Sequence, residues 1–191
     1  MSILTLKILL FCLVPIGIFI LYKGIKLLRT SFTGKVLLDL PYLDRMGYLT
    51  IPESGIYSIW QKGPLFRKTP IAKFRPQIRN TSTDQVINLS SSIMSLRSNN
   101  FSTGRMEMFT FAADVGHYEI KLVAGSSVSS FQEIIGEALP FADMDLKKYA
   151  IEVRKSQSQV LTMLSIPLML LGFAFTLGGF VLGLLAEQIF I

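Results

Sequence analysis

Few residues in this chain could do covalent chemistry. There is one histidine, His117, three positions after Asp114, and the stretch GSSVSS places Ser126 and Ser127 shortly downstream. A base, a carboxylate and a hydroxyl are the ingredients of a hydrolytic triad. A triad is a matter of geometry, however, and no nucleophile-elbow motif surrounds either serine. A histidine exposed at a turn accounts for the same residues. Metal chemistry is poorer still. Zinc needs clustered His, Cys or carboxylate ligands, and beside His117 the chain offers one cysteine, Cys12, inside an apolar run. Asp143 and Asp145, in ADMDLKK, are too few for a calcium loop, and no glycine-rich phosphate loop occurs. The expectation is a non-enzyme with no catalytic residues, no metal ligands and no cofactor.

Electrostatic binding is better represented. KGPLFRKTPIAKFRPQIRN, residues 62–80, carries six cations, Lys62, Arg67, Lys68, Lys73, Arg75 and Arg79, and no acid. Pro64, Pro70 and Pro76 remove backbone donors and confine the segment to an edge strand or a loop. Interleaved Leu65, Phe66, Ile71, Phe74 and Ile78 mean that parts of it must pack. The six cations are the candidate binding residues, suited to an acidic protein or to lipid headgroups. The alternative is that acids elsewhere in the fold neutralise them.

What positions these residues follows from hydropathy. Half of the 191 residues are apolar and 17% are charged, against about 25% charged in soluble domains. Two segments explain the difference. Residues 3–22, ILTLKILLFCLVPIGIFILY, hold one charge, Lys7, near the outer end, where it can reach the headgroups. About 20 such residues cross a bilayer core, and no small-x-small cleavage site follows. Residues 156–186 contain no charge at all. We therefore expect transmembrane helices at 3–22 and 158–187, the second long enough to tilt or to kink at Pro167.

Within the second span, Ser165, Gly172, Thr176, Gly179, Gly183 and Ala186 fall on one helical stripe, and Gly179 with Gly183 forms a GxxxG element. Small residues let helices approach closely in lipid. Gly172, Thr176, Gly179 and Gly183 are thus candidate helix-packing residues. Their partner is either the first span, through Gly17 and Gly24, or a second copy of the chain.

The formal charge is +6, but its distribution argues against nucleic acid. Lys7, Lys23, Lys26, Arg29 and Lys35, with Lys147, Lys148, Arg154 and Lys155, lie near the membrane ends, while residues 36–146 hold ten cations and eleven acids. That central domain lacks the basic surface nucleic-acid binding requires. The excess charge meets anionic headgroups instead. The positive-inside rule points the central domain toward the cytoplasm, yet long segments translocate largely regardless of charge. The reading leans to an extracytoplasmic domain on a bacterial inner (plasma) membrane, with the cytoplasmic side open.

Residues 33–155 read as an all-β unit. YLTIPESGIYSIW and FTFAADVGHYEIKLVAG share a short apolar run, a turn, and Gly-x-Tyr-x-Ile: Gly55, Tyr57, Ile59 and Gly116, Tyr118, Ile120. Alternation puts Tyr118, Ile120 and Leu122 on one face, and both stretches are expected to be β-hairpins with glycine at a positive-φ turn position. Further strands are expected at 35–40, 85–89 and 149–154, and a short helix at 129–141. About seven strands suggest a sandwich or jelly roll. The two stretches resemble hairpins of extracellular jelly-roll and carbohydrate-binding modules, which implies fold rather than function.

Spans, a small β domain and no catalytic set lead to a membrane-anchored binding or scaffold module that docks a protein partner, with the bilayer as second partner and self-association through the second span as an alternative. Two other readings stand beside it. One is a bacterial immunity protein against a membrane- or envelope-targeting toxin. The other is an extracytoplasmic ligand or carbohydrate sensor, whose aromatic platform would be Tyr57, Trp60 and Tyr118.

Overall fold

The computed structural model describes residues 2–64, 74–100, 102–125 and 145–190. The chain divides into two compact units, one formed by the segments up to Thr33 and from Ser158, the other by Gly34–Gln157.

The first unit is a helix pair, α1 (Ile3–Phe32) and α2 (Gln159–Phe190). Both are long and apolar enough to cross a membrane. Ser2 caps α1 by accepting a hydrogen bond from the Thr5 amide, and Pro15 and Pro167 lie inside the helices. Helix α1 runs ten residues beyond the apolar stretch at 3–22, so Lys23, Lys26 and Arg29 are helical.

The second unit contains ten strands among the described residues, more than the seven or so expected. They are β1 (Val36–Pro41), β2 (Met46–Ile51), β3 (Gly55–Pro64), β4 (Phe74–Asn80), β5 (Val86–Ile87), β6 (Ser90–Ser91), β7 (Arg97–Asn99), β8 (Thr103–Ala113), β9 (Gly116–Ala124) and β10 (Ala150–Lys155). They form two antiparallel sheets. One has the order β1-β10-β3-β8-β6, with β7 also on β8; the other has the order β2-β9-β4-β5. Tyr57, Ile59, Phe109, Phe111, Ile151 and Val153 of the first sheet share a buried cluster with Leu49, Ile51, Ile78, Tyr118, Ile120 and Leu122 of the second. Burying each large aliphatic chain contributes about 1.5–3 kcal/mol. The expected helix at 129–141 lies outside the described residues.

The two expected hairpins are corrected. Strands β2 and β3 are consecutive but belong to different sheets, and so do β8 and β9. Each Gly-x-Tyr-x-Ile stretch is therefore an arch that carries the chain from one sheet to the other. The alternation looks the same in both cases, because each strand still turns one face to the core. The two arches pair with each other: Gly55 lies opposite Ala113 in one sheet, and Ile51 lies opposite Gly116 in the other. Neither Gly55 nor Gly116 has positive φ; among described glycines only Gly125 does.

The shared tyrosine has a structural reason. Tyr57 Oη donates to the Glu53 carbonyl at 2.6 Å, and Tyr118 Oη donates to the Asp114 carbonyl at 3.0 Å. Each hydroxyl pins the start of its own arch four residues upstream. Tyr57→Phe and Tyr118→Phe are each expected to cost about 1 kcal/mol, the net worth of one hydrogen bond. Unfolding of the full chain followed through its single tryptophan would measure both.

Candidate functional site

Lys62, Arg75 and Arg79, the candidate cations among the described residues, do not share one sheet. Arg67, Lys68 and Lys73 lie outside the described residues. Lys62 sits in β3, an interior strand, not at an edge as its flanking prolines suggested. It pairs with Asp39 at 2.8 Å and Glu152 at 3.4 Å. The Asp39 hydrogen bond, more than any other influence, raises the Lys62 pKa above the ordinary lysine value. Arg79 pairs with Asp84. Arg75 is exposed on β4 opposite Val123. Register separates them further. Lys62 is in line with Arg105 and Ala150 on the six-stranded sheet, whereas Arg75 and Arg79 are on β4 of the four-stranded one.

Lys62 belongs to a buried polar network that the sequence did not disclose. In the core strands of the six-stranded sheet, the face turned away from the apolar cluster is also covered. Trp60 pairs with Glu152, and Ser58 with Arg154; all four are buried. The Arg154 guanidinium bonds the Glu152 carboxylate, with Nε at 2.8 Å, and lies 5.6 Å from the Trp60 ring centroid. Arg105 Nε approaches the same carboxylate at 3.4 Å. Glu152 thus gathers three cations. Beside it, Trp60 Nε1 donates to Ser58 Oγ at 2.8 Å, and Ser92 Oγ donates to Glu107 at 2.8 Å. Glutamate and arginine at alternate positions of β10 are the only signal in the sequence, and an exposed strand carries the same signal.

Burial pushes the Glu107 pKa up, opposed by hydrogen bonds from Ser92 and Ser58. The folded protein therefore binds this proton more tightly than the unfolded chain does. Its stabilising contribution is complete below the unfolded carboxylate pKa and is lost as pH rises through the folded value. Glu107→Gln keeps an acceptor for the Ser92 hydroxyl and removes that slope. Unfolding at pH about 5 and about 8 should show stability less pH-dependent in the variant, with the gain over wild type at the higher pH.

Of the sequence's catalytic candidates, only His117 and Asp114 fall among the described residues. His117 is exposed in β9 with its Nδ1 3.0 Å from Thr50 Oγ1, while Ser126, Ser127 and Asp143 lie outside the described residues. Asp145 caps a short turn and pairs with Lys148. Among the described residues no group of three His, Cys, Asp or Glu side chains could hold a metal ion. The aromatic platform is lost: Tyr57, Trp60 and Tyr118 are 0%, 1% and 2% exposed. The carbohydrate-sensor reading, which needed them at the surface, is withdrawn.

The outer face of the four-stranded sheet is different. Register aligns Tyr48, Glu119 and Arg79 in one cross-strand row, Met46, Lys121 and Gln77 in the next, and Val123 with Arg75 beyond it. Tyr48 is 64% exposed, and Met46 and Val123 are also exposed. The Lys121 hydrogen bond, first among several causes, holds the Glu119 carboxyl below its usual range.

In the helix unit, all four packing candidates face α1. A Cβ at Gly172 would lie 2.5 Å from the Leu21 amide nitrogen, and one at Gly179 would lie 2.7 Å from the Leu10 carbonyl. Gly183 meets the Phe11 ring, and Thr176 packs on Gly17. No protein-family model matches this chain, and no curated protein matches it either.

Proposed function

We propose that the chain is a two-span membrane protein whose β-sandwich docks an acidic protein partner through the outer face of its four-stranded sheet. The observation that carries this is the composition of that face. Exposed Tyr48, Met46 and Val123 stand beside Arg75 and Arg79, and tyrosine and arginine are the residues on which interface energy concentrates. The corresponding face of the other sheet is buried along β10 and β3, so among the described residues the four-stranded sheet offers the more open face. The helices hold the module at a bacterial inner membrane, with the sandwich on the extracytoplasmic side. The buried network around Glu152 holds together the sheet that backs the docking face.

Extraction in mild detergent followed by mass measurement tests the reading. Wild type is expected to carry a second, acidic protein. Tyr48→Ala with Arg75→Glu is expected to release it while the Trp60 unfolding profile stays unchanged. A bare wild-type monomer overturns the docking function, and a variant that keeps its partner overturns the choice of face.

A further inference from the structure

The juxtamembrane cations are not equivalent. Arg154 is turned into the sheet against Glu152, Lys155 pairs with Glu53, and Lys148 pairs with Asp145. Lys23, Lys26 and Arg29 are exposed on α1 and bond no acid among the described residues. Lys23 lies over the Phe19 ring, 5.2 Å from its centroid. Helix α1 contains no acid, and α2 contains none before Glu187, which is taken by Lys7 at 2.7 Å.

Their placement on the helix is specific. Gly17, Gly24 and Ser31 form the buried stripe of α1. At about 100° per residue, Lys26 lies about 200° from Gly24, almost opposite α2, with Lys23 and Arg29 about 60° to either side. The three cations therefore form a crest on the side of α1 facing away from its partner helix. Their height also fits. Lys7 and Lys23 are separated by about 24 Å of helix, which with extended lysine side chains brackets a hydrocarbon core of about 30 Å. Lys26 and Arg29 then rise through the headgroup layer, and exposed Tyr22 stands at the boundary where tyrosine favours the interface.

Helix α2 is apolar at this same height. Gly24 packs on Met169 and Ser165, and Ser31 bonds Thr162 at 2.7 Å. Between those levels α2 exposes Met163, Leu164 and Ile166. The helix pair is thus cationic on one flank and oily on the other.

We infer that Lys23, Lys26 and Arg29 form a binding surface for anionic phospholipid. The phosphate sits on the α1 crest, and the acyl chains run down the apolar surface of the pair. Directly below the crest α1 itself exposes Ile18, Phe19 and Tyr22, an apolar surface that acyl chains would cover and a soluble acidic protein would not, which favours lipid as the occupant. The inference rests on the two-span reading but not on the docking face.

The test uses full-length protein in neutral detergent, titrated with phosphatidylglycerol or phosphatidylcholine of identical chains and read by native mass spectrometry. At about 1 kcal/mol per cation, wild type should retain phosphatidylglycerol about 100-fold better. Lys23→Gln, Lys26→Gln and Arg29→Gln together should abolish the preference, while Lys147→Gln with Lys148→Gln should keep it. A wild type without preference overturns the inference, as does a triple variant that retains it. Resistance of the same membranes to an alkaline wash reports the spans separately, so loss of lipid preference is distinguishable from loss of membrane insertion.

Discussion

Glu152→Ala is expected to destabilise the β unit by about 3–5 kcal/mol, because it leaves the buried Arg154 guanidinium without its counter-charge. Glu152 and Arg154 are 2% and 7% exposed, and Lys62 and Arg105 converge on the same carboxylate. Removing the acid takes the counter-charge from deeply desolvated Arg154 and the nearby carboxylate from partly exposed Arg105, while Lys62 keeps Asp39 at 2.8 Å. The pair itself need not be a net source of stability, since desolvating both ions offsets much of their attraction. A double replacement decides between these effects. Glu152→Leu with Arg154→Met, which keeps apolar volume and removes both charges, should recover most of the single-mutant loss. The readout is built in: the chain has one tryptophan, and Arg154 lies over its ring. Chemical unfolding of full-length protein should show the midpoint fall sharply for Glu152→Ala and return in the double variant. A Glu152→Ala loss under about 1 kcal/mol, the size of an exposed pair, would mean that the network is solvated.

This network also shows where reading the sequence stops. YEIKL in β9 was legible because one face is exposed there, and Tyr118, Ile120 and Leu122 are buried as the alternation requires. AIEVRK in β10 has the same alternation, yet four of its six residues are buried. Alternation reports that two faces differ. It does not report that the polar face is also covered, since, Arg154 aside, the groups around Glu152 (Trp60, Lys62 and Arg105) come from β3 and β8. The same limit turned arches into hairpins. Period two is a property of one strand, whereas the choice of sheet depends on which distant strand pairs with it. Charge counting along the chain assigned Arg154 and Lys155 to the membrane flank, and only three-dimensional pairing shows them engaged with Glu152 and Glu53. The helix seam was more legible. Spacing in steps of three, four and seven fixes a face of a helix whatever packs on it, and what the spacing left open was the partner.

Gly172→Val is expected to open the helix pair, which identifies that partner functionally. The valine Cβ would sit 2.5 Å from the Leu21 amide nitrogen and 2.8 Å from the Gly17 carbonyl. Both are backbone atoms, so no side chain can rotate out of the way and α1 must move. Overpacking costs about 1–3 kcal/mol where neighbours can adjust, and a backbone neighbour puts this site at the upper end. Gly178→Val is the matched control, one position from Gly179, where an added Cβ meets nothing within 4 Å. The measurement is disulfide formation between Ser31→Cys and Thr162→Cys in a Cys12→Ser background, because those hydroxyls lie 2.7 Å apart across the seam. Cross-linking should fall at least about tenfold with Gly172→Val, tenfold corresponding to about 1.4 kcal/mol, and stay unchanged with Gly178→Val. If the stripe instead joined two copies of the chain, Gly172→Val would dissociate a dimer and leave this intramolecular cross-link intact. In the structure Gly172, Thr176, Gly179 and Gly183 are all occupied by α1, so a second copy would have to displace that helix before it could use them.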